Sequence, residues 1–188
     1  MLGRENKIGV EMRPNCSHLP VEKQTLISRY CQGNGIDVGC GYSKLGACVG
    51  IDKIPHGQLI NKEDKTKKVS QAEWAFDAGS LPLKDNTMDF VYSSHAIEHI
   101  TPNVTSDKTE LVIKEWIRVL KPGGYLLMII PDINHCIPPI AKRKGLKIFH
   151  GLEPIEVKKV ITDLDSVKVI KFNTLTNINE FEVVVQKR

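Results

Sequence analysis

Residues 36–52, IDVGCGYSKLGACVGID, decide how this chain is read. Ile36-Asp37-Val38 is a short apolar run that stops at Gly39-Cys40-Gly41, and Cys48-Val49-Gly50-Ile51-Asp52 is a second run that stops at a carboxylate. Both are too short for helices and are bounded by turn residues, so both read as buried strands. Glycines at the end of the first let a ligand approach the backbone without meeting a Cβ. A carboxylate at the end of the second can accept hydrogen bonds from both hydroxyls of a ribose.

Moving outward, Val21 to Gln32 follows Pro20 and carries Leu26, Ile27 and Tyr30 on one face, which predicts an amphipathic helix before the first strand. Trp74 to Asp77 reads as a third strand and Met88 to Ser93 as a fourth. Asp107 to Leu120 predicts the best helix, with Asp107 and Glu110 resembling a capping box and Val112, Trp116, Val119 and Leu120 as its apolar stripe. Pro122-Gly123-Gly124 should stop it. Tyr125 to Ile130 is a nearly uninterrupted apolar strand, the pattern of a strand covered on both faces. A helix from about Glu153 to Leu164 and strands near Val167 to Asn173 and Phe181 to Gln186 complete the chain. Alternation of this kind predicts an α/β domain with a largely parallel sheet and helices on both faces. The last two strands are separated only by residues 174–179, too few for a parallel crossover, so this pair should be antiparallel.

The chain has 188 residues, a net charge of +4, 41% hydrophobic and 26% charged residues. That suits one globular domain and argues against disordered, collagen-like or coiled-coil classes. Five cysteines, Cys16, Cys31, Cys40, Cys48 and Cys136, include no C-x-x-C pair, which favours reduced thiols. The first residues carry no apolar stretch, so no secretory signal is expected. The longest apolar run, Leu126 to Pro131, falls far short of the roughly 20 residues that span a bilayer. The expectation is a cytoplasmic protein with no membrane partner.

Open α/β sheets bind ligands at the carboxyl ends of their strands. Here those ends carry Asp37 with Gly39 and Gly41, then Asp52, then Asp77-Ala78, then Ser93-Ser94-His95. Three carboxylates and a glycine turn at successive strand ends describe a nucleoside pocket. A dinucleotide site is disfavoured by spacing. The third fingerprint glycine is replaced by Lys44, and Asp52 lies 11 residues after Gly41 instead of about 20. No phosphate-binding G-x-x-x-x-G-K-[ST] loop occurs.

IDVGCG, GIDK, FDAGSLPLKDNTMDFVYSSHAIEHI and EWIRVLKPGGYLLMIIPD together resemble class I S-adenosylmethionine-dependent methyltransferases, in particular the subgroup with an S-S-H-x-x-E-H-I segment after the fourth strand. The likeness covers roughly residues 22–131. It implies a Rossmann-like seven-stranded, mostly parallel sheet with an antiparallel last strand. It also implies that Asp37, Gly39 and Gly41 line the methionine part of S-adenosyl-L-methionine, that Asp52 holds the ribose, that Asp77 with the Ala78 backbone reads the adenine, and that Ser93 and His95 border the methyl-transfer position. The product would be S-adenosyl-L-homocysteine. Ser43 stands where many relatives have a third glycine, and only Tyr42 to Ala47 fill an interval that usually holds a helix. The first crossover is therefore abbreviated, and Tyr42, Ser43 and Lys44 are candidates to fill the gap.

Methyl transfer from a sulfonium mainly requires alignment, exclusion of water and, where needed, removal of a proton. His95 is the candidate base, with pocket lining as its plainer role; imidazole titrates near neutrality. His95-x-x-Glu98-His99 also spells an inverted zinc-peptidase motif, a second enzyme class with Glu110, Glu153 or Glu156 as a possible third ligand. Pro102 disfavours the sustained helix that this motif needs. A third reading is a module that binds the cofactor without turnover. One domain over residues 1–188 is expected, with an N-terminal extension (1–21), a cofactor-binding core (22–131), a substrate-recognition segment (132–153) and a last helix and strand pair (154–188). The acceptor is expected to be a small molecule attacked through oxygen or nitrogen. Nucleic acid stays open as a second class, because Lys142-Arg143-Lys144 with Lys147 could meet phosphate. Oligomeric state is not legible.

Overall fold

A computed structural model describes residues 21–46, 48–60, 67–100, 106–132, 152–175 and 180–188. The expected extension and most of the expected recognition segment, including its basic cluster, lie outside the described residues. Strands occur where the apolar runs predict them: β1 (Gly35–Val38), β2 (Val49–Asp52), β3 (Trp74–Ala75), β4 (Met88–Ser94), β5 (Leu120–Pro131), β6 (Val167–Leu175) and β7 (Glu180–Lys187). The helices are α1 (Val21–Tyr30), α2 (Ile97–Ile100), α3 (Ser106–Val119) and α4 (Pro154–Thr162). They assemble into a seven-stranded sheet of order β3-β2-β1-β4-β5-β7-β6. Neighbours from β3 to β5 are parallel, and β7 runs antiparallel to both β5 and β6. The expected fold and its reversed strand are thus found.

Side-chain alternation divides the core into two layers. On one face Ile36, Val38, Leu126, Met128, Ile130 and Phe181 meet Val112, Ile113, Trp116 and Ile117 of α3 and Val157, Val160 and Ile161 of α4. On the other, Phe90, Tyr92, Leu127, Ile129 and Val184 meet Leu26, Ile27 and Tyr30 of α1. Burial of β5 on both faces explains its unbroken apolar run. Each fully buried leucine or isoleucine removes apolar area worth about 1.5–3 kcal/mol from water.

Several boundaries differ from the sequence reading: α1 and β3 end early, at Tyr30 and Ala75, and α3 and β5 start elsewhere than expected. α3 begins at Ser106, one residue ahead of the expected start at Asp107. β5 begins at Leu120, ahead of the glycines, because Leu120 pairs with Met88 before the register shifts and Tyr125 pairs with Phe90. Lys121–Gly124 form an irregularity within the strand, with Gly123 at φ 82°.

Polar contacts from three residues of α3, Glu115, Trp116 and Arg118, tie the helix to the segment after β3. Arg118 of α3 binds Glu115 at 2.7 Å and Asp85 at 2.6 Å, and donates to the Leu83 carbonyl at 2.8 Å. Glu115 in turn accepts from the Leu81 N–H at 2.7 Å. The indole N–H of Trp116, fully buried, donates to the Ala78 carbonyl at 2.8 Å and so pins the chain just past β3. Trp116→Phe should therefore cost about 1–3 kcal/mol, the usual loss when a buried acceptor is left unpaired, measured as a lower urea midpoint. An unchanged midpoint would mean that this bond does not organise the loop.

Candidate functional site

The parallel register places the ends of β1, β2 and β4 side by side, and a cleft of about 860 Å³ opens there. Asp37, Gly39, Gly41, Asp52, Asp77, Ala78 and His95 all line it. Ser93 does not. It is buried, and its hydroxyl donates to the Val38 carbonyl at 3.0 Å, stitching β4 to β1. Ser94, one residue on, faces the cleft on the same side of the strand as Tyr92. Period-2 alternation in Tyr92-Ser93-Ser94 was the available signal for this choice.

The turn between β1 and β2 owes its shape to glycine at two positions. Gly39 and Gly41 adopt φ of 73° and 52°, a region that L side chains rarely enter. A Cβ on Gly39 would lie 2.2 Å from the Ala96 Cβ, so this cradle is open only because the side chain is missing. Among the described residues of this crossover no helix forms, as expected. The turn is held by carboxylates. Asp37 accepts the Leu45 N–H at 2.7 Å; Asp52 accepts the Gly41 N–H and the Ile54 N–H, each at 3.0 Å. Lys44 reaches the Cys48 carbonyl at 3.1 Å and pairs with Glu73, which also accepts the Gly50 N–H at 2.7 Å. Lys44 is thus a brace. Tyr42 and Ser43 line the cleft instead, with the Lys68 ammonium 3.8 Å from the Tyr42 ring centre. This pairing of a positive charge with an aromatic face had no sequence signal.

Asp37 is buried, and desolvation pushes its carboxyl up to about 7, against the lowering effect of the Leu45 hydrogen bond. The same burial pushes the Cys40 thiol up to about 12, which argues against a nucleophilic role. Asp77 accepts the Gly79 N–H at 2.7 Å. The Ala78 carbonyl accepts from Trp116, and Asp77 lines this end of the cleft with one oxygen engaged by Gly79.

His95 follows β4 at φ 53°, an uncommon conformation for a non-glycine residue, and its N–H donates to the Ile129 carbonyl at 2.9 Å. Its Nε2 lies 2.6 Å from Glu180 Oε1, and Glu180 Oε2 lies 2.6 Å from the Lys23 ammonium. Burial pushes the Glu180 carboxyl up, but the His95 and Lys23 hydrogen bonds together outweigh it and hold the group below its ordinary value. Neither Glu180 nor Lys23 was singled out from sequence. The signals were there: Lys23 shares the buried stripe of α1 with Leu26, Ile27 and Tyr30, and Glu180 and Glu182 interrupt an apolar strand.

The His95-x-x-Glu98-His99 segment is not built as a zinc helix. α2 covers only Ile97–Ile100, His95 lies outside it, and the Nε2 of His95 is engaged by Glu180. Glu98 is buried, and desolvation pushes its carboxyl up to about 7. Among the described residues no three His, Cys, Asp or Glu side chains gather closely enough to hold a metal. No helix among them is long and apolar enough to cross a membrane.

Known proteins bear on this geometry at three levels. Residues 36–128 match a family model described as a methyltransferase domain. Among curated relatives, the chain is 33% identical over 101 residues to a tRNA (carboxymethyluridine(34)-5-O)-methyltransferase of Arabidopsis thaliana, covering 50% of this chain and 23% of that protein. It is 31% identical over 103 residues to a demethylmenaquinone methyltransferase of Bacillus licheniformis, covering 53% and 41%. The chain thus spans well under half the length of these relatives. In fold it is similar to an S-adenosylmethionine-dependent methyltransferase of Methanosarcina mazei (TM-score 0.62, 20% identity, 86% of this chain and 96% of that one). It is also similar to the N-methyltransferase NodS of Bradyrhizobium japonicum, solved with S-adenosyl-L-homocysteine (TM-score 0.52, 16% identity, 82% and 78%). The segment that matches the methyltransferase-domain model contains the glycine turn, all three cleft aspartates and His95, and the fold built around it is similar to that of solved S-adenosylmethionine-dependent methyltransferases.

Proposed function

We propose that the cleft binds S-adenosyl-L-methionine and that the chain transfers its methyl group to an oxygen or nitrogen of a small-molecule acceptor, leaving S-adenosyl-L-homocysteine. The convergence of Asp37, the Gly39–Gly41 turn, Asp52 and Asp77 on one cleft carries this reading. The residues fit the group. The cradle at Gly39 admits a ligand only where no Cβ stands, and the acceptors match an ammonium, a ribose diol and an exocyclic amine. Asp37 would face the methionine part, Asp52 the ribose and Asp77 the adenine.

When bound, the cofactor supplies a carbon already activated by the adjacent sulfonium. This chain's residues then align and desolvate. Asp52 spends one lone pair of each oxygen on Gly41 and Ile54, which fixes its remaining lone pairs toward the cleft. His95, at the far wall, is placed to accept a proton from the acceptor. A small-molecule acceptor is supported by the relative named a demethylmenaquinone methyltransferase. The relative named for tRNA makes RNA the competing class.

A thermal-shift series with S-adenosyl-L-methionine, S-adenosyl-L-homocysteine, NAD and zinc tests the cofactor. A ligand at 100 times its dissociation constant should add about 2.7 kcal/mol. Stabilisation by the first two and not by NAD or zinc is expected, and the reverse pattern would overturn the reading. Turnover of a phenol and amine panel, with a uridine-containing RNA as the competing arm, tests the acceptor.

Asp52→Ala should weaken S-adenosyl-L-homocysteine binding by about 1–3 kcal/mol, seen by calorimetry; equal affinity would count against the ribose assignment. Asp37 gives a pH signature. Because its carboxyl is raised to about 7, it is largely protonated, and so neutral, below that pH. Affinity for the cationic cofactor should rise about tenfold from roughly pH 6 to 7.5 as the charge appears. In Asp37→Asn that dependence should flatten; a wild-type slope in the variant would remove Asp37 from the contact.

A further inference from the structure

We propose that Glu180 is the positioning residue that fixes His95 in its Nε2–H tautomer at the cleft wall, with Lys23 holding Glu180 in place. This rests on the reading of His95 as proton acceptor and extends it to two residues outside the motif-bearing segment.

Four observations carry it. The His95 Nε2 to Glu180 Oε1 distance of 2.6 Å is that of a charge-assisted hydrogen bond. The second oxygen of Glu180 is paired with the Lys23 ammonium, which keeps the group a carboxylate and so an acceptor only. A neutral imidazole facing a carboxylate must donate to it, so the ring proton sits on Nε2 and Nδ1 is left as the basic nitrogen. Finally, His95 is anchored twice, through its backbone to Ile129 of β5 and through its ring to β7, and holds φ 53° between those anchors. A strained backbone persists where its surroundings over-determine it.

In the transfer step the acceptor O–H or N–H bond breaks and its proton forms the Nδ1–H bond. Its electron pair forms the bond to the methyl carbon, and the pair of the broken carbon–sulfur bond stays on sulfur. The imidazolium produced then lies against the Glu180 carboxylate, which stabilises it. Besides Glu180 and Lys23, the ionisable groups near this region among the described residues include Glu98 and His99 of the α2 segment and Tyr92 of β4.

The test needs neither acceptor nor cofactor. In protein labelled with 15N-histidine, a long-range 1H–15N correlation at neutral pH reports the protonated nitrogen of each ring, and the His95 signals are assigned by their loss in His95→Gln. The expected result is His95 protonated at Nε2 in the wild type and a mixture of tautomers in Glu180→Ala. Since that variant strands the Lys23 ammonium, the double variant Lys23→Met/Glu180→Leu provides a second background with the same expectation. Calorimetry should find S-adenosyl-L-homocysteine affinity within about twofold of wild type in both, because the pair acts on the ring and not on the cofactor wall. A Nδ1–H tautomer in the wild type, or the wild-type spectrum in both variants, would overturn the proposal. Absence of cofactor binding in the wild type would instead sink the proposed function and leave the tautomer result standing.

Discussion

The hydrogen bond from the Gly41 N–H to the Asp52 carboxylate is the constraint on which the cleft depends. β1 and β2 are parallel neighbours joined by a connection too short for a covering helix. A loop of that length has backbone groups to satisfy and little secondary structure to satisfy them. Side chains take over the task. Asp52 closes the turn from one strand, Asp37 receives Leu45 from the other, and Glu73 receives Gly50 from beyond it. Asp37 and Asp52, the carboxylates proposed to recognise the cofactor, therefore also shape the floor of the cleft. Recognition and architecture are not separable at these positions.

Much of this was legible before any coordinates. Apolar runs bounded by glycine and carboxylate located β1, β2 and β4, and the short link after β6 required the reversed strand. Burial of β5 on both faces was written in its unbroken apolar sequence. The cleft aspartates and glycines followed from their place at strand ends. What escaped was what depends on contacts between distant segments. Ser93 and Ser94 are adjacent and chemically identical, so only the phase of the pleat distinguishes the one that stitches two strands from the one that faces the cleft. Lys44 looked like a candidate pocket residue, and its partner Glu73 stands 29 positions away. Glu180 lies 85 positions from His95 and was not singled out.

The two sides of the cleft also differ in kind. The cofactor wall is made of backbone turns held by carboxylates. On the His95 side, the side chain that lines the cleft is backed by Glu180 of β7 and Lys23 of α1 through ion pairs. Backbone-built walls tolerate little change in shape, whereas a wall of side chains can be rebuilt piecemeal.

The close approach of Gly39 and Ala96 has a consequence for sequence drift. A methyl group at position 39 and the one already at position 96 would occupy the same space. The two sites are therefore epistatic. Enlargement at 96 is closed off by the turn beneath it, and enlargement at 39 demands both a loss at 96 and tolerance of a left-handed backbone. Homologues diverging at this crossing should change the two positions together or leave both untouched.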